Sequence, residues 1–192
     1  ADVASATNTH PEVVRELLVM CLEAGAGTVR ILDHAFQSGT QPLERSGILD
    51  ACNGVRNGVC HNLTHERYYQ ETTLNDARDM KTNAVMNDVL DADVLIAAPV
   101  AKTNTSTGVS LSLKGQTGLI LDRNVMHWRY DLDTAIVDLC FRLKPALAVI
   151  DASRVLSTNG PYGPGKVLTP GEIIASADPV AADAMTVASY EW

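Results

Sequence analysis

Residues 93–99 read Asp-Val-Leu-Ile-Ala-Ala-Pro. The apolar positions run without alternation, and a proline closes them. A strand with one wet face alternates polar and apolar residues. A strand covered on both faces does not, and such strands belong to parallel sheets. Residues 146–151 (Ala-Leu-Ala-Val-Ile-Asp) repeat the pattern, and residues 28–33 (Thr-Val-Arg-Ile-Leu-Asp) approach it. Helical periodicity fills the intervals. Val13, Val14, Leu17, Leu18, Cys21 and Leu22 recur at helical spacing, and Gly25 and Gly27 end the run. Thr9 with Glu12 fits a capping box, and Pro11 suits the first turn. Further helices are expected over 42–52, 76–90, 107–119, 132–143 and 179–190, the last capped by Asp178. Residues 58–75 read as irregular with one strand, 172–176 as a short strand, and 160–165 (Gly-Pro-Tyr-Gly-Pro-Gly) as a stiff loop. Strands alternating with helices predict one α/β domain over residues 1–192, with a layered, mostly parallel sheet and helices on both faces.

Composition agrees and removes several classes of function. The chain has 192 residues, 46% hydrophobic and 20% charged, which suits one globular domain and not disorder or a coiled coil. Fifteen basic against 23 acidic residues give a net charge of −8. No basic face for nucleic acid is expected, and an anionic membrane surface is a poor partner. The longest apolar run is about eight residues, well short of a membrane span. The four cysteines, Cys21, Cys52, Cys60 and Cys140, contain no CxxC pair. That spacing argues against a disulfide scaffold and against a ferredoxin-type iron–sulfur cluster. Cys52, Cys60, His61 and His65 match no zinc spacing.

Ligands of open parallel sheets bind at the carboxyl ends of the strands. The expected strands lead into Asp33-His34, Lys102, Asp151 and Asp178, so one rim is expected to collect these groups. The alternative is that the aspartates only cap helices and turns. Several motifs are excluded. Gly25-Ala26-Gly27 precedes a strand, so it is no dinucleotide fingerprint. Lys114-Gly115 lacks the P-loop spacing, Gly108-Val109-Ser110 lacks the second glycine of a nucleophile elbow, and no HExxH occurs.

Residues 99–128 carry the densest chemistry. Lys102 and Lys114 are two of only five lysines in the chain. Lys114 lies among Leu111, Leu113 and Leu119, so partial burial of its ammonium is expected. Burial lowers a lysine pKa and suits phosphate binding or nucleophilic chemistry. The run Thr103 to Thr107 offers hydroxyls and backbone N–H groups before an expected helix start, with Thr105 and Thr107 as anion binders. His127 is a candidate for proton transfer. The competing reading is a surface loop with a snorkelling lysine.

The order of segments resembles a bacterial and archaeal family called domain of unknown function 362. The matching pieces are residues 7–33 (TNTHPEVVRELLVMCLEAGAGTVRILD), 44–48 (ERSGI), 91–102 (DADVLIAAPVAK) and 107–120 (TGVSLSLKGQTGLI). They continue with His127-Trp128, residues 144–156 (KPALAVIDASRVL), the Gly-Pro loop and residues 173–185 (IIASADPVAADAM). The resemblance implies an α/β domain whose native N- and C-terminal edges lie outside this chain. It also implies a bacterial protein, cytoplasmic or periplasmic. Some members carry a ferredoxin-like module, which this chain lacks, so a ferredoxin-like electron-transfer partner is one implied association. Members often have a histidine shortly after the position of Lys102, where this chain has Thr103-Asn104. A more distant resemblance is to the lactate racemase family, in the layout of residues 110–128. It implies that Lys114 holds a nucleotide-type cofactor or phosphate and that His127 ligates a divalent metal or moves protons.

The expected function is therefore that of a small-molecule enzyme, an oxidoreductase or isomerase, acting at the rim of the sheet. Lys102, Lys114, Thr105 and Thr107 would bind an anionic substrate or cofactor. Lys114, His127, Asp151 and Asp183 would form the catalytic set. The alternative is a non-catalytic ligand-binding or electron-transfer partner domain.

Overall fold

The computed structural model describes residues 3–192. Helix α1 (Pro11–Glu23) leads into β1 (Val29–Asp33), then α2 (Gln41–Ser46), α3 (Ile48–Cys52) and β2 (Gly58–Asn62). Strands β3 (Tyr69–Thr73) and β4 (Thr82–Met86) form a hairpin, followed by α4 (Asn87–Leu90). Next come β5 (Ile96–Ala97), β6 (Val100–Asn104), β7 (Gly108–Ser110) and α5 (Ser112–Gly115). A 3-10 turn (Gln116–Leu119) precedes α6 (Arg123–Arg129), α7 (Leu132–Arg142) and β8 (Leu147–Leu156). The chain ends with β9 (Val167–Leu168), β10 (Glu172–Ser176) and α8 (Pro179–Ser189).

The α/β layering is the expected one. Strand β8 organises the main sheet, whose order is β10-β8-β6-β7, with β5 and β9 also pairing β8. β5 and β6 run parallel to β8, and β1 runs parallel to β2 in a separate two-stranded sheet. Antiparallel partners complete the edges: β10 and β9 on β8, β7 on β6, and β3 on β4. Residues 148–152 of β8 are buried without interruption, which is why their sequence shows no alternation.

Three apolar clusters fill the layers. One joins the β3–β4 hairpin to α6 and α7 through Tyr69, Val85, Met86, Met126, Ile136 and Leu139. A second packs Ala101, Ala148, Ile150 and Val155 of the main sheet against Ala182 of α8. The third sets Val14 and Leu18 of α1 on Cys52, Val29 and Ile31. Packing in this third cluster is tight: a Cβ at Gly58 would sit 2.7 Å from Leu18 Cδ2.

Several elements differ from expectation. Residues 93–99 hold only the two-residue β5, and Val94 is 62% exposed, so both-face burial applies to β8 and not here. Residues 76–90 form β4 and a one-turn helix instead of one long helix. Met80, Val85 and Val89 are buried as expected, but pairing with β3 decides the backbone. Spacings of four and five fit a short strand and its flanks as readily as a helix. The polar stretch 58–75 contains two strands, β2 and β3, where one was expected. The expected helix at 42–52 breaks at Gly47, whose φ is +78° and whose Cβ would lie 3.0 Å from Pro11 Cγ. Residues 107–119 are β7, one helical turn and a 3-10 turn instead of a helix. Thr9 does not cap α1. Its hydroxyl donates to the Ala98 carbonyl at 2.6 Å, and His10 Nδ1 accepts the Glu12 N–H instead.

Candidate functional site

Asp33 of β1 and Lys102 of β6 come from different sheets yet lie close enough for their charges to interact. Asp33 closes β1, and Lys102 sits level with Leu156 at the end of β8. A Cβ built on Gly118 would lie 3.8 Å from Asp33 Oδ1, so the 3-10 turn after α5 abuts this carboxylate. Asp33 retains exposed surface, yet protein crowds its carboxyl enough to raise its pKa. Asp33 is therefore crowded on one side and open on another, and it is the floor of the candidate site. Burial is the largest influence on it. The His34 N–H and the charges of Arg123 and Lys102 oppose that rise.

Three cations lie near this floor: Lys102 and Arg123 act on Asp33, and Lys114 acts on Lys102. Burial brings the Lys102 ammonium down to about 8, the Asp33 charge opposes this, and the Lys114 charge adds to it. Burial also lowers Lys114, with help from Arg123. His127 is lowered by burial and then by Lys114. Lys102 donates to the Thr7 carbonyl at 2.7 Å, and Lys114 reaches only the Thr117 hydroxyl at 3.4 Å. Arg123 has no hydrogen-bond acceptor among the described residues. Its guanidinium lies 4.6 Å from the Phe36 ring centre. The ion pairs among the described residues are Arg15–Glu16, Arg30–Asp88 and Arg154–Asp151, so none involves these three cations. Tyr69 closes the floor from the hairpin side. Burial pushes its hydroxyl up to about 12, and it donates to the Leu63 carbonyl. Its ring packs on His34, whose Nδ1 donates to the Ile120 carbonyl at 2.9 Å.

Lys102, Lys114 and His127 are thus electrostatically linked, Lys114 acting on the other two. The other expected site residues lie elsewhere or serve the backbone. Thr105 and Thr107 sit at the tip of the β6–β7 hairpin, not before a helix. There Asn104 Oδ1 accepts the Ser106 and Thr107 N–H groups, and the Thr107 hydroxyl donates to the Val109 carbonyl. Asp151 lies level with Val100, inside β8 and below the rim, because the strand runs on to Leu156. It is fully buried, and its oxygens accept the His10 and Ser153 N–H groups and the Ser153 hydroxyl, with Arg154 at 3.5 Å. Asp183 accepts the Ser112 and Leu113 N–H groups at 2.8 and 3.0 Å. It therefore fixes the start of α5, two residues before Lys114. Asp178 falls at the opposite rim, because β10 runs antiparallel to β8, and it caps α8.

Sequence reading missed two members of the site. Asp33 was read as a rim residue but not as its centre, and Arg123 was only a neighbour of His127. Their approach spans 90 positions, and no local pattern announces it. Metal ligation by His127 finds no supporting set. Among the described residues, no three His, Cys, Asp or Glu side chains gather to hold an ion. Cys52 and Cys60 instead pack in the apolar cluster beneath α1, and His65 caps a 3-10 turn.

The fold is that of an α/β domain in which Asp33, Lys102, Lys114, Arg123 and His127 act on one another electrostatically. The family described as domain of unknown function (DUF362) matches residues 1–188. The chain belongs to that family. The search of curated proteins finds no match.

Proposed function

We propose that the chain is a small-molecule enzyme that binds an anionic substrate or cofactor group between Lys102, Lys114 and Arg123. Asp33 and His127 are the acid–base pair of this reading. One observation carries it: in a chain of net charge −8, three cations converge without a carboxylate ion pair. Structural cations in acidic proteins find acidic partners. Unpaired ones crowded together raise each other's energy unless an anion joins them. The raised Asp33 and lowered His127 add chemistry to binding. Each is shifted toward its uncharged form, the direction that suits Asp33 as a proton donor and His127 as a proton acceptor. Isomerase or oxidoreductase chemistry on a small acid fits these groups.

The test is titration of the intact protein with inorganic phosphate. Lys114→Ala and Arg123→Ala each weaken binding about tenfold, the equivalent of one charge-assisted contact. Lys144→Ala, at an exposed site away from the cleft, does not. Equal affinity in all three variants would remove the assignment. Binding without turnover, whatever small acid is supplied, would favour the ligand-binding or electron-transfer alternative. A turnover that survives Asp33→Asn and His127→Ala would remove the acid–base roles.

A further inference from the structure

Beside the cation cluster lies a cavity of about 360 Å³, lined by His34, Phe36, Thr64, Asp122, Arg123 and Asn124 among others. Arg123 belongs to both. Its charge acts on Asp33 and Lys114, and its guanidinium forms a wall of the cavity. Phe36 is 73% exposed and Tyr162 is 67% exposed, yet their rings meet edge to face at 5.7 Å. These residues come from different loops, one following β1 and the other following β8. The second loop is held against β6: Gly160 donates to the Thr103 hydroxyl, and a Cβ there would lie 1.8 Å from the Thr103 carbonyl oxygen. Tyr162 is therefore positioned, not loose.

Two large rings left in water, Phe36 in the cavity lining and Tyr162 packed against it, forgo the stabilisation that burial would bring. An arginine stacked on a ring keeps its N–H groups in the guanidinium plane, available to an oxyanion. A stacked, unpaired arginine next to open ring surface recognises a flat ring and a negative group together. We propose that the cleft takes a small aromatic acid, its ring against Phe36 and Tyr162 and its oxyanion at Arg123 and the lysines. The inference rests on the anion-binding reading above and adds the chemical class of the ligand. The cavity volume lies at the lower end of small-molecule sites, in keeping with one ring.

The experiment compares matched probes on the intact protein: phenyl phosphate against methyl phosphate, and benzoate against acetate. The ring-bearing member of a pair binds about tenfold tighter, from ring stacking and apolar burial. Phe36→Ala, Phe36→Leu and Tyr162→Ala each narrow the gap, the ring-bearing probe losing more affinity than methyl phosphate or acetate. All three change exposed side chains, so the variants fold. The pair with the larger gap identifies phosphate or carboxylate as the head group. Equal affinities within both pairs would overturn the inference while leaving the anion site standing. A gap that survives Phe36→Ala combined with Tyr162→Ala would overturn it too. No binding of any probe would overturn both readings.

Discussion

Lys102 shows how burial turns a common residue into a titrating one. Its ammonium, brought down to about 8, is charged at neutral pH and loses charge just above it. An anion bound beside it favours the charged form. Phosphate affinity is therefore expected to fall as pH rises from 7 to 9.5. Calorimetry in two buffers of different ionisation heat should show proton uptake on binding near pH 8. Stability of the free protein moves the other way. The unfolded chain holds this proton up to about 10.4, so it binds more protons than the native state between the two values. This group alone then makes the fold more stable as pH rises through that window. Lys102→Met abolishes both effects, read by urea unfolding at pH 7 and 10. At this scale the sequence was legible where residue type and surroundings clash, as for Lys102, Lys114 and His127. It was not legible for the aspartates. Asp33, Asp151 and Asp183 carry the same letter, and only the fold decides whether a carboxylate meets the cleft or the backbone.

The elements are tied together by carboxylates that accept backbone N–H groups. Asp138 of α7, 1% exposed, accepts from Arg78, Asp79 and Met80. Burial is the largest single influence on its pKa and pushes it up, but the three N–H groups together hold it below the usual range. Asp138→Ala leaves those donors without a partner in a closed site and is expected to cost about 3 kcal/mol, measured as a lower urea midpoint at unchanged slope. Its contribution is present above the ordinary carboxylate pKa and is lost as pH falls through the lowered value. Gly160→Ala tests a different joint. The added methyl meets the Thr103 backbone, so a loss of about 1–3 kcal/mol is expected, with displacement of Tyr162 seen in its ring resonances. The elements easiest to read from sequence were α1, α7, α8 and β8, where periodicity or full burial is sustained. Those misread were short. At 76–90 and 107–119, apolar spacing matched two backbone shapes, and hairpin pairing with the preceding strand chose between them.

As a whole the molecule is three packed clusters joined by few polar ties. The α1–β1 layer meets the main sheet through Thr9 on Ala98, His10 on Asp151, Lys102 on Thr7 and Arg154 on Asn8. Local opening follows such seams. Native-state hydrogen exchange is expected to be faster in residues 11–33 than in residues 148–156, and Asp151→Asn should widen the difference. Equal protection across the two layers would argue for a single cooperative unit. Fold class was visible in the sequence at this scale, because alternating strand and helix patterns survive local errors. The aromatic pair at the mouth was not, since Phe36 and Tyr162 stand 126 positions apart and meet only through loop geometry.

Asp138, Asp151 and Asp183 accept backbone N–H groups, while Lys114, Arg123 and His127, the groups proposed to bind and react, have almost no bonds to the rest of the described residues. Architecture and chemistry therefore rest on different side chains. Selection can exchange the second set with little loss of the first. A scaffold arranged this way is free to diversify, and descendants of one ancestor can acquire different substrates while their backbones stay superimposable.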